Sequence, residues 1–353
     1  MDPRPRVLLI CPFYPGALGV SFARAFESLG VDVVRFDSDR AYLAAGRFAR
    51  HRPLRRLLRR ILWDRMNRSL IEAAKTARPS ILVVLKGPFI DARTIVALRS
   101  ELGVPFVNFY PDNPLCGVPL DPRKTSAQRH DLVDVLRHYD KVFIWGRAMR
   151  DRLAAEGITS YRLPFAVDPA MFHADGGEPS EPPCGCGAAH DVVFVGQHSP
   201  KREQHVGAIK GVSAALWGAR WSRARASLRQ HVIHEAPIFG DQCGPVYRRA
   251  AVSLNIVDDL NMPGHNMRTF EIPASGGIMV STFTEEQAEF FPEDEAAVYY
   301  RDAAELDEKI ARVTRDAALQ QRLRRNALAI SRRHTYRDRV SLLLREAGLT
   351  VAS

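Results

Sequence analysis

The sequence predicts an α/β protein built from two doubly wound, Rossmann-like domains that face a cleft. Its 353 residues are enough for two domains that each bury a core. Short apolar runs alternate with helix-like stretches in both halves, which is the pattern of parallel sheets covered on both faces. Residues 174–190, rich in Gly, Pro and Ala, interrupt this alternation. We therefore place the domain junction at this segment or slightly before it.

The first half alternates apolar runs of four or five residues with longer amphipathic stretches. The predicted strands are 7–10, 33–36, 81–85, 106–109, 142–145 and 161–163. The predicted helices are 20–29, 54–77, 91–101, 125–138 and 147–156. Together they form one doubly wound domain.

A second alternation begins after the interruption. Its predicted strands are 192–195, 214–217, 253–256, 278–281 and 298–300. Its predicted helices are 200–212, 245–251, 266–275, 285–290 and 302–332. A last amphipathic helix, 336–347, carries Val340, Leu343 and Leu344 at helical spacing.

Composition narrows the functional classes. Hydrophobic residues make up 46% and charged residues 25% of the chain, values typical of a globular protein rather than a disordered one. The formal net charge of +10 favours anionic partners such as phosphates, acidic lipids or nucleic acid, without choosing among them. The chain has no apolar run long enough for a membrane span and no signal-peptide pattern, and its five cysteines are scattered. We expect a cytoplasmic protein.

Glycines follow the first strand at Gly16 and Gly19, just before a helix. This arrangement offers backbone N–H groups to a phosphate, although the dinucleotide-binding spacing G-x-G-x-x-G is absent. Asp37 ends the second strand, where a turn role is favoured over ribose binding.

The second domain opens with a strand, Gly196 and then the cations Lys201 and Arg202. Ligands of open α/β sheets lie beyond the carboxyl ends of the strands, so these residues are candidates for binding a diphosphate. The alternative is a polar helix start whose cations are solvated.

Chemistry-bearing side chains are densest in the segment 263–277, PGHNMRTFEIPASGG. His265, Asn266, Arg268 and Glu271 lie there at a helix start, and the three-residue spacing places Arg268 and Glu271 on one face. A glutamate can accept hydrogen bonds from both hydroxyls of a ribose, and an arginine can clamp phosphate. A structural capping cluster is the alternative.

For two further features, the segment 47–68 and Asp112, the sequence allows two interpretations each. The arginine-rich segment 47–68 has Leu54, Leu57, Leu58, Ile61 and Leu62 at helical spacing, so it could contact anionic lipid or simply cover its own sheet. Asp112 follows the fourth strand, where a catalytic role and a turn role are equally plausible.

Motifs for metal, hydrolase and P-loop chemistry are missing. Cys184-x-Cys186 lacks a second pair, and the segment from His231 to Glu235 matches no zinc-protease pattern. Neither G-x-S-x-G nor a Walker loop occurs. We predict no metal site.

The segments VVFVGQHSPKR, AALWGARW, VYRRAAVSLNIV, HNMRTFEIPASGG and RRHTY follow one another through the second half. In this order they resemble the CgeB-like branch of the GT-B glycosyltransferases. The resemblance implies a donor domain at 168–335 and an acceptor domain at 1–167, on which 336–353 packs back. It also implies that a nucleoside diphosphate sugar is the co-substrate, with no metal and no further cofactor.

The resemblance assigns roles to individual residues. Glu271 takes the place of the family's ribose-binding glutamate, Arg202 and Arg268 resemble its diphosphate-binding cations, and Trp217-Gly218 lies where relatives build the base pocket. Many retaining relatives carry an acidic residue eight positions before that glutamate. Here that position is Pro263, which leaves the stereochemical outcome open.

We therefore expect a glycosyltransferase that acts on an acceptor hydroxyl of a glycan, a lipid-linked sugar or a protein, without a nucleic-acid partner. If the reaction inverts the anomeric centre, Asp112 is the expected base. Peripheral contact of 47–68 with the inner face of the membrane is the alternative to its favoured sheet-covering role. The alternatives are a nucleotide-sugar epimerase of the same fold and a non-catalytic nucleotide- or polysaccharide-binding protein.

Overall fold

The computed structural model describes residues 4–43, 58–115, 127–174 and 190–350, with the side chains of 127–131 left out. The chain divides into two compact units. Unit 1 comprises Met1–Pro164 and Tyr336–Ser353, and unit 2 comprises Phe165–Thr335. Each unit contains a six-stranded sheet, and all its strand pairs are parallel. The predicted α/β class with two doubly wound sheets is confirmed.

Unit 1 has the strand order β2-β1-β3-β4-β5-β6. Its strands are β1 (Arg6–Cys11), β2 (Asp32–Asp37), β3 (Ile81–Leu85), β4 (Phe106–Tyr110), β5 (Lys141–Ile144) and β6 (Ser160–Arg162). Its helices are α1 (Leu18–Ser28), α2 (Ser38–Leu43), α3 (Arg59–Ala77), α4 (Ala92–Leu102), α5 (Ala127–Leu136) and α6 (Arg147–Ala155). The central strands β3 and β4 are buried along their whole length, which explains their continuous apolar runs.

Unit 2 has the order β12-β11-β10-β7-β8-β9. Its strands are β7 (Val192–Val195), β8 (Ala214–Trp217), β9 (Val232–His234), β10 (Val252–Asn255), β11 (Met279–Thr282) and β12 (Val298–Tyr300). Its helices are α7 (Pro200–Gly207), α8 (Cys243–Arg249), α9 (Arg268–Ala274), α10 (Glu285–Phe290), α11 (Ala303–Arg315) and α12 (Ala317–Ser331). The chain runs from β7 to one side of the sheet and returns to the other side through β10. The topological switch point therefore lies between β7 and β10, where α/β sheets bind ligands.

The last helix, α13 (Tyr336–Glu346), belongs to unit 1 although it follows unit 2 in sequence. It packs against α1, and the Tyr336 ring lies 5.3 Å from the Phe22 ring. Val340, Leu343 and Leu344 are fully buried. The apolar stripe of the last helix thus completes the core of the unit that the chain left at residue 164.

Three elements differ from the sequence prediction in their existence or continuity, and several others differ only in their limits. The single helix predicted at 302–332 is two helices, because the Asp316 carboxylate accepts a hydrogen bond from the backbone N–H of Leu319 and caps a new helix. The strand β9 was missed because it is a three-residue edge strand whose residues are partly exposed. The helix α2 was missed because it is a six-residue helix that directly follows β2.

The arginine-rich segment is described from residue 58 onward, so Leu54, Leu57 and the rest of 47–57 lie outside the described residues. In α3, Leu62, Met66 and Leu70 are buried, as a sheet-covering helix requires. Ile61 is 61% exposed on the same helix. Residues Cys116, Cys184 and Cys186 also lie outside the described residues. In the described part of the chain, no helix is long and apolar enough to cross a bilayer.

Candidate functional site

The loops after β7 and β8 touch at the carboxyl edge of the unit 2 sheet. Gly196 directly follows β7, and a Cβ on it would lie 2.9 Å from the Phe194 ring. Gly218 has a φ of 148°, and a Cβ on it would lie 2.2 Å from the carbonyl oxygen of Gly196. Any larger residue at 218 would therefore push the two loops apart. The two predicted glycines thus shape this edge through close backbone packing.

The helix α7 begins immediately beyond Gly196. Ser199 precedes the helix, and its Oγ accepts a hydrogen bond from the backbone N–H of Arg202 at 3.3 Å. Pro200 occupies the first turn, where a backbone N–H would have no partner within the helix, so the absence of an N–H in proline is not destabilising. This cap fixes the start of the helix that carries the two predicted cations.

The Arg202 guanidinium spans the switch point. Its Nη1 donates to the Gln197 carbonyl at 2.9 Å, and its Nη2 lies 3.6 Å from the Asp258 carboxylate beyond β10. Its Nε is buried without a partner among the described residues. Burial lowers the pKa of Arg202, the Asp258 carboxylate raises it, and the neighbouring Arg268 charge lowers it again. A largely buried cation next to a second cation favours an anionic ligand.

Lys201 lies beside Arg202 but is already paired. Its Nζ lies 2.6 Å from the Asp259 carboxylate, which is 80% exposed. Such an exposed pair contributes little and exchanges readily with another anion. The diphosphate role of Lys201 stays a prediction.

Arg268 and Glu271 meet on one face of α9, as their spacing predicted. The Arg268 Nη1 donates to the Glu271 Oε2, and its Nε donates to the Val195 carbonyl at 3.4 Å. The Glu271 side chain is only 8% exposed. Within the described residues, its second carboxylate oxygen has no hydrogen-bond partner. Glu271 therefore keeps one acceptor for a hydroxyl group while it orients Arg268.

Asn266 holds the start of α9 in place. Its Oδ1 accepts from the backbone N–H of Thr269 at 3.2 Å, and its Nδ2 donates to Asn255 Oδ1 at 2.9 Å. The Asn255 amide in turn donates to Gln287 at 3.1 Å. Both polar atoms of Asn266 thus serve the capping arrangement that the sequence left open, and its diphosphate role stays a prediction.

His265 is fully buried beneath the same loop. Its Nε2 accepts a hydrogen bond from the backbone N–H of Phe165 at 3.2 Å, and its Nδ1 lies 3.0 Å from Glu286. The ring therefore ties the first residue of unit 2 to the segment that leads into α9. This geometry suits positioning rather than contact with a ligand.

Trp217 ends β8 and is 2% exposed. Its indole stacks on the His234 ring with centroids 4.5 Å apart. The His234 ring therefore covers one face of the indole. Of the two residues predicted to bind the nucleotide base, Gly218 contributes its backbone to the edge of the sheet. The role of Trp217 in base binding stays a prediction.

Unit 1 has a corresponding edge. Asp112 follows β4, and its carboxylate forms an ion pair with Lys86, which follows the neighbouring strand β3. Lys86 has a φ of 69°, unusual for a residue with a side chain. Nearby, burial and the charge of Asp37 raise the pKa of Asp39, while Lys86 lowers it. Lys86 is not among the residues predicted from the sequence, although its position directly after the buried strand β3 could have indicated it.

The loop after β1 is built by close packing. Gly16 has a φ of 77°, and a Cβ on Gly19 would lie 2.4 Å from the Cys11 Sγ. Gly19 therefore lets α1 approach the end of β1, a role that needs no ligand. Phosphate binding by these two glycines stays a prediction. In the described ranges, no group of three His, Cys, Asp or Glu side chains is placed to hold a metal ion.

Comparison with known proteins gives a family match for part of the chain. Residues 201–345 match the family model described as glycosyl transferase-like. A search of curated protein sequences found no significant match.

Solved structures match almost the whole chain. A sucrose-phosphate synthase from Thermosynechococcus elongatus has a TM-score of 0.73 and 14% identity, over 97% of this chain and 99% of that one. A UDP-forming α,α-trehalose-phosphate synthase from Burkholderia xenovorans, in complex with glucose-6-phosphate, has a TM-score of 0.69 and 13% identity, over 97% and 100%. HepE from Anabaena, in complex with UDP-glucose, has a TM-score of 0.63 and 11% identity, over 96% and 99%. The fold is GT-B.

Proposed function

We propose that this protein is a glycosyltransferase that moves a sugar from a nucleoside diphosphate sugar to an acceptor hydroxyl. The family match over residues 201–345 and the GT-B fold support this class. The observation that carries the proposal is the pair of guanidinium groups, Arg202 and Arg268, beside the buried carboxylate of Glu271 at the switch point of unit 2. The two cations match the charges of a diphosphate, and the carboxylate can accept a hydrogen bond from a ribose hydroxyl.

The arrangement suits the chemistry of sugar transfer. Negative charge grows on the departing diphosphate as the bond to the sugar breaks and the anomeric carbon becomes oxocarbenium-like. Fixed cations at that point stabilise the transition state without having to reorganise. Arg202 and Arg268 supply two guanidinium groups there, and we propose that the reaction needs no metal ion.

The acceptor belongs, in our proposal, to unit 1. Asp112 is the proposed base if the anomeric centre inverts, and Lys86 holds its carboxylate. The acceptor is a hydroxyl of a glycan, a lipid-linked sugar or a protein, in the assembly of a cell-surface glycan. The resemblance of the second half to the CgeB-like branch supports this assignment.

The direct test is product analysis with a radiolabelled donor. We expect release of a nucleoside diphosphate and transfer of label to an added acceptor. Conversion of the donor to an isomeric sugar nucleotide would instead identify an epimerase. Binding without turnover would identify a binding protein.

We predict that Glu271→Gln reduces discrimination between UDP and its 2′,3′-dideoxy analogue, because the amide oxygen still accepts a hydrogen bond but lacks the negative charge. A hydroxyl bound to a charged acceptor contributes about 1.5–3 kcal/mol, so wild type should bind UDP at least about tenfold more tightly than the analogue. Calorimetric titration of both ligands measures the ratio. Glu285→Gln, which removes an exposed carboxylate of the same unit, is the control and should keep the wild-type ratio. An unchanged ratio in the folded Glu271→Gln protein would remove Glu271 from the ribose site.

We also propose peripheral membrane contact through the outer face of α3. Arg60, Arg65 and Arg68 are exposed beside Ile61. Each cation near an anionic bilayer contributes about 1 kcal/mol, and salt screens that attraction. We expect flotation with vesicles of anionic lipid at low salt, and loss of flotation at high salt or in Arg60→Glu/Arg65→Glu. A protein that stays in solution with these vesicles would leave α3 with its sheet-covering role alone.

A further inference from the structure

His198 lies in the loop between β7 and α7 and takes no part in the site as described so far. It stands two residues after Gly196 and three before Lys201. Its backbone N–H donates to the Ala219 carbonyl at 3.0 Å, which ties this loop to the one after β8. The residue is therefore fixed at the ligand-binding edge of unit 2.

A chain of short hydrogen bonds orients its ring. Ser227 Oγ donates to Glu203 Oε1 at 2.5 Å, and Glu203 Oε2 lies 2.7 Å from His198 Nε2. The Ser227 hydrogen bond and then the His198 hydrogen bond lower the pKa of Glu203, so it is a carboxylate at neutral pH. A carboxylate only accepts, so His198 Nε2 carries the proton.

The rest of the ring is largely enclosed. The side chain is 11% exposed, and the Trp221 indole meets it edge to face at 5.3 Å. Trp221 Nε1 is itself held by the Gly196 carbonyl at 2.8 Å. Among the described residues, no hydrogen bond reaches His198 Nδ1. Nδ1 is therefore the ring nitrogen that remains for a ligand.

We propose that His198 is a third cationic contact of the donor diphosphate, donating Nδ1–H to a phosphate oxygen while Glu203 and Ser227 hold the ring. This inference rests on the proposed function, because it assumes a nucleoside diphosphate at this edge. An imidazolium carries an N–H on both ring nitrogens, so Glu203 accepts from Nε2 and a phosphate oxygen accepts from Nδ1. Glu203 is the charged group in contact with the ring, while Trp221 and the Ala219 carbonyl are neutral. In the bound state no proton is transferred from His198 to the phosphate.

A purely structural role predicts something different. If the chain from Ser227 to His198 only anchors the loop, its loss should weaken ligand binding equally at every pH. If His198 meets the phosphate as a cation, binding should weaken as the ring loses its proton. The pH dependence of affinity therefore separates the two roles.

The experiment is calorimetric titration with UDP-, GDP-, CDP- and TDP-glucose, followed by pH variation with the tightest binder. These sugar diphosphates carry no phosphate proton that titrates near neutral pH. We expect affinity in wild type to fall about tenfold between about pH 5.5 and about pH 8.5, the loss of one charge-assisted hydrogen bond. His198→Gln should remove this dependence, and Glu203→Gln should reduce it. His173→Gln, which changes an exposed histidine of unit 2, is the matched control and should keep it.

The outcomes separate the inference from the function it rests on. A wild-type pH dependence that vanishes in His198→Gln and survives in His173→Gln supports the proposal. The same dependence in His198→Gln, or none in wild type, overturns it while leaving the proposed function standing. Failure of all four nucleotide sugars to bind at any pH, together with no binding of UDP, GDP, CDP or TDP, contradicts the proposed function and removes the inference with it. Thermal unfolding of each variant confirms that the proteins compared are folded.

Discussion

Replacing Arg268 by alanine should lower kcat by a factor on the order of 10² to 10³, because one donor aimed at a developing anion typically contributes that much. Arg268 donates to Glu271 and to the Val195 carbonyl, so its guanidinium is fixed before a ligand arrives. Arg268→Lys should fall between wild type and alanine, because an ammonium keeps the charge but lacks the planar fork. Steady-state kinetics of nucleoside diphosphate release measures both.

The matched control for this prediction is Arg312→Ala. Arg312 forms an ion pair with Asp294 on the surface of unit 2, with 39% of its side chain exposed. Such pairs contribute little to stability, and this one has no part in the proposed site. Equal losses of kcat in Arg268→Ala and Arg312→Ala would contradict the proposed role. Because alanine leaves Glu271 without its partner, thermal unfolding must accompany the kinetics.

The second large effect concerns the last helix. Leu343 is fully buried in α13, and Leu→Ala at such sites costs about 2–5 kcal/mol through lost transfer energy and the cavity left behind. We expect Leu343→Ala to lower the free energy of unfolding of unit 1 by that amount. Denaturant unfolding measures the loss, and hydrogen exchange of β1 and α1 assigns it to unit 1.

Leu342→Ala is the internal control, because the neighbouring leucine is only partly buried. It should cost much less than Leu343→Ala. Deleting 336–353 removes Val340, Leu343 and Leu344 together and should destabilise unit 1 more than either substitution. A deletion that changes hydrogen exchange in β7 and β10 as much as in β1 and α1 would contradict the assignment of this helix to unit 1.

The strands were predictable because a parallel strand buried on both faces is a continuous apolar run. The runs at 81–85, 192–195 and 298–300 have the same limits in the structure as in the prediction. The break at Asp316 was not predictable from periodicity, because the apolar spacing continues through it and a single carboxylate cap divides the helix. Tertiary burial determines the limits of these strands, and a local hydrogen bond determines the break between α11 and α12.

Some contacts of the candidate site were likewise predictable from the sequence, and others were not. Arg268 and Glu271 are three residues apart, so helical geometry alone predicts their contact. Arg202 and Asp258, or Lys86 and Asp112, meet because their strands are neighbours in the sheets. Strand order is a property of the whole fold, so such partners are not visible in a local stretch of sequence. The hydrogen bonds that place Asn266 in the capping arrangement are visible only in the structure, and its diphosphate role stays a prediction.

The central claim is that unit 2 binds a nucleoside diphosphate through Arg202, Arg268 and Glu271. Its most direct test is a thermal-shift screen of wild type and Arg268→Ala with UDP, GDP, CDP and TDP. At a ligand concentration of about 100 times Kd, binding stabilises the folded protein by about 2.7 kcal/mol. We predict a clear rise in Tm of wild type with at least one of the four nucleotides, and a much smaller rise in Arg268→Ala with the same nucleotide. The same rise in both proteins, or none with any of the four in wild type, would contradict the account.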